Sequence, residues 1–354
     1  MIAKSAAPPL SVWPKATVIV INWNGRHFLD DCLRTLLAQT YPNFEVILAD
    51  NGSRDGSVDY VRATYPMVKV LAFTENLGFA EGNNRAIQAS DGDYVITLNN
   101  DTWVEPGWLA ALVAAAESDP MVGMVASKMI FARNPTMVNS TGICMDPVGI
   151  AWDRNGGNVD DPAEDQIEAM FGPCAGAALY RRAMLDEIGL FDADFFAYLE
   201  DVDLAWRGQL CGWRCLYTAQ ARVFHIHSGT SKEGSIFKAQ LLGRNKVWAI
   251  VKNYPTRLIW FYLPVIVFYD LAAVLYSGLG RRDFVAMTGR IQGLKQLPAM
   301  LRKRQAIRGL RQRLCQERPC NWQTHLDPLI APWQIPARYR HLAFIDLAQH
   351  DPSP

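Results

Sequence analysis

The chain has 354 residues, half of them hydrophobic, with 35 basic and 35 acidic side chains in balance. That is enough apolar material for a sizeable core, in one large domain or one domain with an appendage. A net charge of zero argues against nucleic acid or another polyanion as partner.

Residues 17–21 (Thr-Val-Ile-Val-Ile) form a β-branched run that suits a buried parallel strand, and Asn22 to Gly25 turn the chain. Helical spacing of Phe28, Cys32, Leu33, Leu36 and Leu37 predicts a helix over 27–39, stopped by Tyr41-Pro42-Asn43. A second strand over 44–49 ends in Asp50-Asn51-Gly52-Ser53, and a helix starts near Gly56. A third strand covers 68–73, a helix 78–90, a fourth strand 94–98 and a helix 106–118. The segment 129–170 is irregular, and a strand over 175–181 leads into a helix through 188. Residues 201–211 read as a helix with Asp201 and Asp203 in its first turn, and 222–225 as a last short strand.

Strands alternating with helices predict an α/β fold with a mostly parallel, doubly wound sheet flanked by helices. Ligands bind such sheets at the carboxyl ends of the strands. Polar clusters fall there four times: Asn22, Asp50, Glu75-Asn76 and Asn99-Asn100-Asp101. Gly-x-Gly-x-x-Gly and Walker-type loops are absent, which argues against nicotinamide enzymes and P-loop NTPases.

Six motifs appear in order: Val18-Ile-Val-Ile-Asn-Trp-Asn24, Asp50-Asn-Gly-Ser-Arg-Asp-Gly-Ser57, Asn76-Leu-Gly-Phe-Ala-Glu-Gly-Asn-Asn84, Leu98-Asn-Asn-Asp-Thr102, Phe196-Ala-Tyr-Leu-Glu-Asp-Val-Asp-Leu-Ala-Trp-Arg207 and Ala221-Arg-Val-Phe-His225. With these the chain resembles glycosyltransferase family 2, of the GT-A fold, in its rhamnosyltransferase-like and galactofuranosyltransferase-like branch. The resemblance implies an inverting, metal-dependent transfer from a dTDP- or UDP-sugar, rhamnose first among the sugars it suggests, to a glycan or lipid-linked acceptor of the cell envelope. Two other classes stand beside it: a nucleotidyltransferase and a non-catalytic nucleotide-sugar binder.

The chemistry matches these residue types. Charge develops on a nucleotide diphosphate leaving group, and a Mg²⁺ or Mn²⁺ ion offsets it. The resemblance makes Asp101 the metal carboxylate and His225 the metal imidazole. His227 lies on the same face of an extended segment and stays an alternative. Asn99 occupies the first position of the family's Asp-x-Asp motif. Asp201 is the expected general base, with Glu200 as the alternative base and Asp203 behind them. Asp50 is expected on the nucleobase or ribose, with Asn22, Asn76, Gly78 and Asn83 lining the nucleotide pocket.

The expected organisation is a tail over 1–15, a glycosyltransferase domain over 16–245, a helical region over 246–315 and a tail over 316–354. No secretory signal is visible over 1–15, so the catalytic part is expected at the cytoplasmic face. Seven cysteines, without paired zinc-ribbon spacing, read as reduced thiols. Residues 258–280 carry twelve Leu, Ile, Val and Phe but also Pro264 and Asp270. Twelve such residues return roughly −5 kcal/mol on insertion and a central Asp costs about 3, a marginal balance for a span. An interfacial or re-entrant helix pair is expected, peripheral or monotopic at the membrane. Ten Lys and Arg against one acid over 281–313 suit anionic lipid.

Overall fold

The computed structural model describes residues 13–162, 166–226, 235–275, 284–320, 325–331 and 334. The chain opens with alternating strands and helices: β1 (Ala16–Asn22), α1 (Leu29–Leu37), β2 (Phe44–Asp50), α2 (Ser57–Thr64), β3 (Lys69–Ala72), α3 (Gly78–Gln88) and β4 (Tyr94–Asn99). Then come β5 (Thr102–Val104), α4 (Trp108–Glu117), β6 (Val122–Phe131), β7 (Val138–Ser140), β8 (Ile143–Met145), β9 (Ala151–Asp153), β10 (Glu168–Met170) and β11 (Ala177–Arg181). The domain closes with α5 (Arg182–Ile188), α6 (Glu200–Leu210) and β12 (Arg214–His225).

The main sheet runs β10-β12-β6-β11-β4-β1-β2-β3, with β5 on β12 and β7 on β6. Strands β1 to β4 are mutually parallel, and β11 runs antiparallel between β4 and β6. Alternation along β1 explains the layers. Val18 and Val20 pack with Leu29, Leu33, Leu36 and Trp108 on one face. Ile19 packs with Ala80, Ile87, Met184 and Trp206 on the other. Each fully buried aliphatic side chain among these contributes about 1.5–3 kcal/mol.

Two elements differ from the expected pattern. Strand β6 is buried along its whole length, so it shows no alternation. Strand β12 begins at Arg214, eight residues before the expected start, because a register shift between Tyr217 and Arg222 interrupts its pattern.

The C-terminal helices are α7 (Ile236–Asn253), α8 (Thr256–Leu275), α9 (Val285–Lys295) and α10 (Leu297–Leu314). The boundary expected at 245/246 falls inside α7, which runs without interruption until Tyr254 turns extended before Pro255. Helices α7 and α9 approach closely: a Cβ on Gly289 would meet the Gln240 carbonyl oxygen at 2.2 Å. In place of the expected helix pair, α8 is one 20-residue helix carrying Pro264 inside it. The proline removes one backbone hydrogen bond without ending the helix. Cys315 and Cys320 form a disulfide, contrary to the reduced thiols expected there; their Cα atoms lie 5.8 Å apart across the turn after α10. Cys32, Cys174, Cys211 and Cys215 are free thiols.

Candidate active site

The parallel strands deliver Asn22, Asp50 and Asn99 to one edge of the sheet. Residues Asn22 and Asp50 stand opposite each other in the β1–β2 register. Asn22 Nδ2 donates to Asp50 Oδ2 at 2.8 Å, and Asn22 Oδ1 accepts from Asn100 Nδ2 at 2.6 Å. Asp50 Oδ1 accepts from the Ser53 amide at 2.9 Å, which tightens the turn after β2. The first and fourth strand ends are therefore tied together by side chains.

Pairing of β5 with the end of β12 sets His225 opposite Thr102, so Asp101 arrives beside the imidazole. His225 Nε2 lies 3.2 Å from Asp101 Oδ1 and 3.4 Å from Asn99 Nδ2. On the other side of the ring, His225 Nδ1 lies 2.8 Å from Asn139 Oδ1 on β7. An amide oxygen only accepts, so the Nδ1 proton is donated to Asn139 and Nε2 is the ring nitrogen that faces Asp101. This nitrogen and a carboxylate oxygen at 3.2 Å are close enough to share a proton or a cation. The donor pair, one carboxylate oxygen and one imidazole nitrogen, fits a divalent ion such as Mn²⁺. His227 lies outside the described residues.

The second acidic cluster opens α6. Asp201 Oδ2 accepts from the Ala175 amide at 3.2 Å and Oδ1 from the Val202 amide at 2.8 Å. The next residue along, Gly176, accepts from the Asn99 amide at 2.9 Å, so Ala175-Gly176 physically links the two clusters. Burial pushes the Asp201 carboxyl up, the two backbone donors oppose it, and the result is about 6. Glu200 is buried, its Oε2 has no hydrogen-bond partner, and burial together with the Asp201 charge pushes it well above the usual range. Asp203 is different. It is fully buried and accepts from Arg207, Lys252 and Asn253 at 2.8–3.0 Å. Burial opposes its ionisation, but Lys252 and Arg207 outweigh it and hold the carboxyl down to about 2.

The loop before α6 is strained. Phe196, Tyr198 and Leu199 all have φ between 63° and 67°, an arrangement that costs of order 1–3 kcal/mol per residue. Asn245 of α7, wholly buried, sets its Nδ2 within 3.0, 2.9 and 2.7 Å of the carbonyls of Phe195, Ala197 and Tyr198. Arg244 adds hydrogen bonds to the Asp194 and Phe195 carbonyls. On the opposite side the loop meets Gly78, whose φ is +80° and whose amide donates to Asn76 Oδ1 at 2.9 Å. A Cβ on Gly78 would lie 2.6 Å from the Phe196 carbonyl oxygen, so only glycine lets the loop approach. Asn83 sits further along α3, wholly buried, donating to the Phe79 carbonyl.

Asn139 and Asn245 escaped the motifs because their partners are 86 and about 50 residues away in sequence. A polar residue buried inside an otherwise half-apolar helix was the available signal for Asn245.

Comparison with known proteins identifies the family and the fold. The family model for glycosyl transferase family 2 matches residues 17–189. The N-acetylglucosaminyl-diphospho-decaprenol L-rhamnosyltransferase of Mycobacterium tuberculosis (strain CDC 1551 / Oshkosh) is 31% identical over 234 residues, covering 59% of this chain and 75% of that protein. Among solved structures, GalNAc-T7 with UDP, GalNAc and Mn²⁺ superposes with a TM-score of 0.58 at 18% identity, over 71% of this chain and 50% of that one. The mannosyltransferase PcManGT from Pyrobaculum calidifontis, in complex with GDP-Man and Mn²⁺, gives 0.52 at 19% identity, over 98% and 91%.

The fold is therefore GT-A, a mostly parallel sheet flanked by helices. The chain belongs to glycosyltransferase family 2 and is a glycosyltransferase. The nucleotidyltransferase and non-catalytic readings fall away with that membership.

Proposed function

We propose that the enzyme is inverting and metal-dependent, and that it moves a sugar from a dTDP- or UDP-sugar to a hydroxyl of a glycan or lipid-linked acceptor in cell-surface polysaccharide synthesis. dTDP-rhamnose is the first donor to test, because the Mycobacterium relative is named as a rhamnosyltransferase acting on a diphospho-decaprenol acceptor. The single observation that carries the metal part is the Asp101–His225 pair, 3.2 Å apart and braced by Asn139. Two structural neighbours contain Mn²⁺ with their nucleotides. Asp101 and His225 would hold Mg²⁺ or Mn²⁺, which would supply charge compensation for the departing diphosphate.

The remaining roles follow from burial and charge. Asp50 and Asn22 take the nucleoside, with Asn76, Gly78, Asn83 and Asn99 shaping its pocket. The acceptor oxygen attacks C1 of the sugar, the bond to the diphosphate breaks, and the acceptor proton passes to Asp201. One displacement from the opposite face inverts the anomeric carbon. Asp201 is the better base because it is partly exposed and ionises at about 6, whereas Glu200 is buried and its carboxyl is pushed well above the usual range by burial and the Asp201 charge. Asp203 we assign to holding α6 against α7.

We place α8 at the membrane interface on the cytoplasmic side. It is long and apolar enough to cross a membrane, with mean hydropathy 2.1, and only Ile266 and Tyr269 are buried against the protein. Trp260, Phe261 and Phe268 are among its exposed side chains. Asp270 is bound to Lys246 at 3.1 Å and Arg290 at 2.6 Å, so its charge is compensated within the protein.

Release of nucleotide diphosphate from a panel of nucleotide sugars, with and without Mn²⁺, tests the reading. Metal-dependent release by the native enzyme and its loss in Asp101→Ala support it. Equal release in the presence of a chelator overturns it.

A further inference from the structure

A cleft of about 680 Å³ opens where α7 hands over to α8 beside α10, at the far end of α6 from Glu200 and Asp201. Arg257, Arg304, Arg308 and Arg311 line it, together with the aromatic side chains of Phe261 and Tyr262. Among the described residues no carboxylate forms an ion pair with any of these four arginines, although carboxylates partner Lys246, Lys252, Arg290 and Lys303 nearby. Arg304 is buried and spends its guanidinium on the Val251 carbonyl and Thr256 Oγ1, at 2.8 and 3.1 Å. Arg308 donates to the same hydroxyl. Burial lowers the Arg304 pKa and the neighbouring Arg308 charge lowers it further, so like charges are gathered here at a cost. A guanidinium fork is the geometry that takes a phosphate.

We propose that this cleft binds the phosphate of a membrane lipid, with Arg257, Arg308 and Arg311 on the phosphate, Arg304 holding the floor, and the lipid's apolar part against Phe261 and Tyr262. The inference rests on the interfacial placement of α8. Charge complementarity and the continuity of the cleft with the exposed aromatic face of α8 single out a lipid as the occupant. The cleft lies away from the sugar-transfer residues, so it anchors the enzyme without touching the reacting groups.

The test is co-sedimentation of the full-length protein with vesicles of phosphatidylcholine alone or doped with phosphatidylglycerol. Arg308→Ala/Arg311→Ala is compared with Arg302→Ala/Arg313→Ala, two exposed arginines on the same helix outside the cleft. The expected result is binding to doped vesicles that weakens about tenfold more in the cleft variant than in the control. Metal-dependent nucleotide release in solution, measured without vesicles, stays unchanged in both variants and certifies their folding. Equal weakening in the two variants means diffuse electrostatic attraction and overturns the cleft alone. Absence of native binding to any vesicle overturns the membrane placement as well. Saturation of the cleft by inorganic phosphate, with no dependence on vesicles, overturns the lipid as occupant.

Discussion

His225 presents Nε2 to Asp101 at 3.2 Å while Asn139 holds the opposite ring nitrogen at 2.8 Å. The imidazole is thereby fixed in tautomer and in direction before any ligand arrives. Partners of this kind are worth about 10–100-fold in metal affinity. Asn139→Ala is expected to raise the Mn²⁺ concentration for half-maximal nucleotide release by that factor, with activity restored at high metal. A metal titration of donor turnover reads it, and an unchanged midpoint removes Asn139 from the site.

Asp201 carries the acceptor proton in the proposed mechanism. Asp201→Asn should retain donor binding by calorimetry and lose about 10²–10⁴-fold in transfer. Because the base works ionised and its pKa is raised to about 6, native activity should climb with pH through that value. The rise should be missing from the residual activity of the variant.

The same shift has a consequence for stability. The folded pKa of about 6 exceeds the ordinary 3.8 of an aspartate, so the stability tied to a protonated Asp201 is full below 3.8 and is lost as pH rises through 6. Asp201→Asn should therefore be more stable than the native enzyme at pH 8 and match it near pH 3. Denaturant unfolding at the two pH values checks the sign.

Asp203 behaves oppositely. Its folded pKa is lowered to about 2, so its contribution is present above 3.8 and is lost as pH falls through 2. Removing the carboxylate leaves Lys252 and Arg207 buried without it, which costs about 3–5 kcal/mol. Asp203→Ala should show that loss in chemical denaturation at neutral pH and should lack the acid-sensitive part below pH 4.

Asn245 restrains the strained turn that aims α6. Asn245→Leu keeps the volume and removes the amide, leaving the Ala197 and Tyr198 carbonyls short of that donor at about 1–3 kcal/mol. The expected signature is a fall in kcat with little change in donor KM, because the strand-end residues Asn22 and Asp50 stay in place. A fall in donor affinity of the same size would assign Asn245 to the nucleotide side instead.

Much of the sheet and its polar edge was legible because each signal is local. The β-branched run of β1 stops at Asn22, the run of β2 at Asp50 and that of β4 at Asn99, and parallel pairing brings these ends together. Non-local devices were not legible. Strand β5 has three residues, too few for a pattern, yet its pairing with β12 is what carries Asp101 to His225. Asp203 reads as one more acid in a catalytic cluster until Lys252 and Asn253, some fifty residues later, enclose it. The boundary expected at 245/246 cuts α7, whose buried residues, Leu241, Asn245, Trp248 and Ala249 among them, hold it on the protein as it runs on to Asn253.

The most direct measurement is the metal dependence of sugar transfer by the full-length protein, with dTDP-rhamnose and other dTDP- and UDP-sugars offered to a lipid-linked acceptor. The product's anomeric configuration is read in the same reaction by nuclear magnetic resonance. Transfer from at least one donor that requires Mn²⁺ or Mg²⁺, inverts the anomeric centre and disappears in Asp101→Ala is the expected result. Transfer that proceeds undiminished in chelator, or with Asp101 replaced, contradicts the central claim.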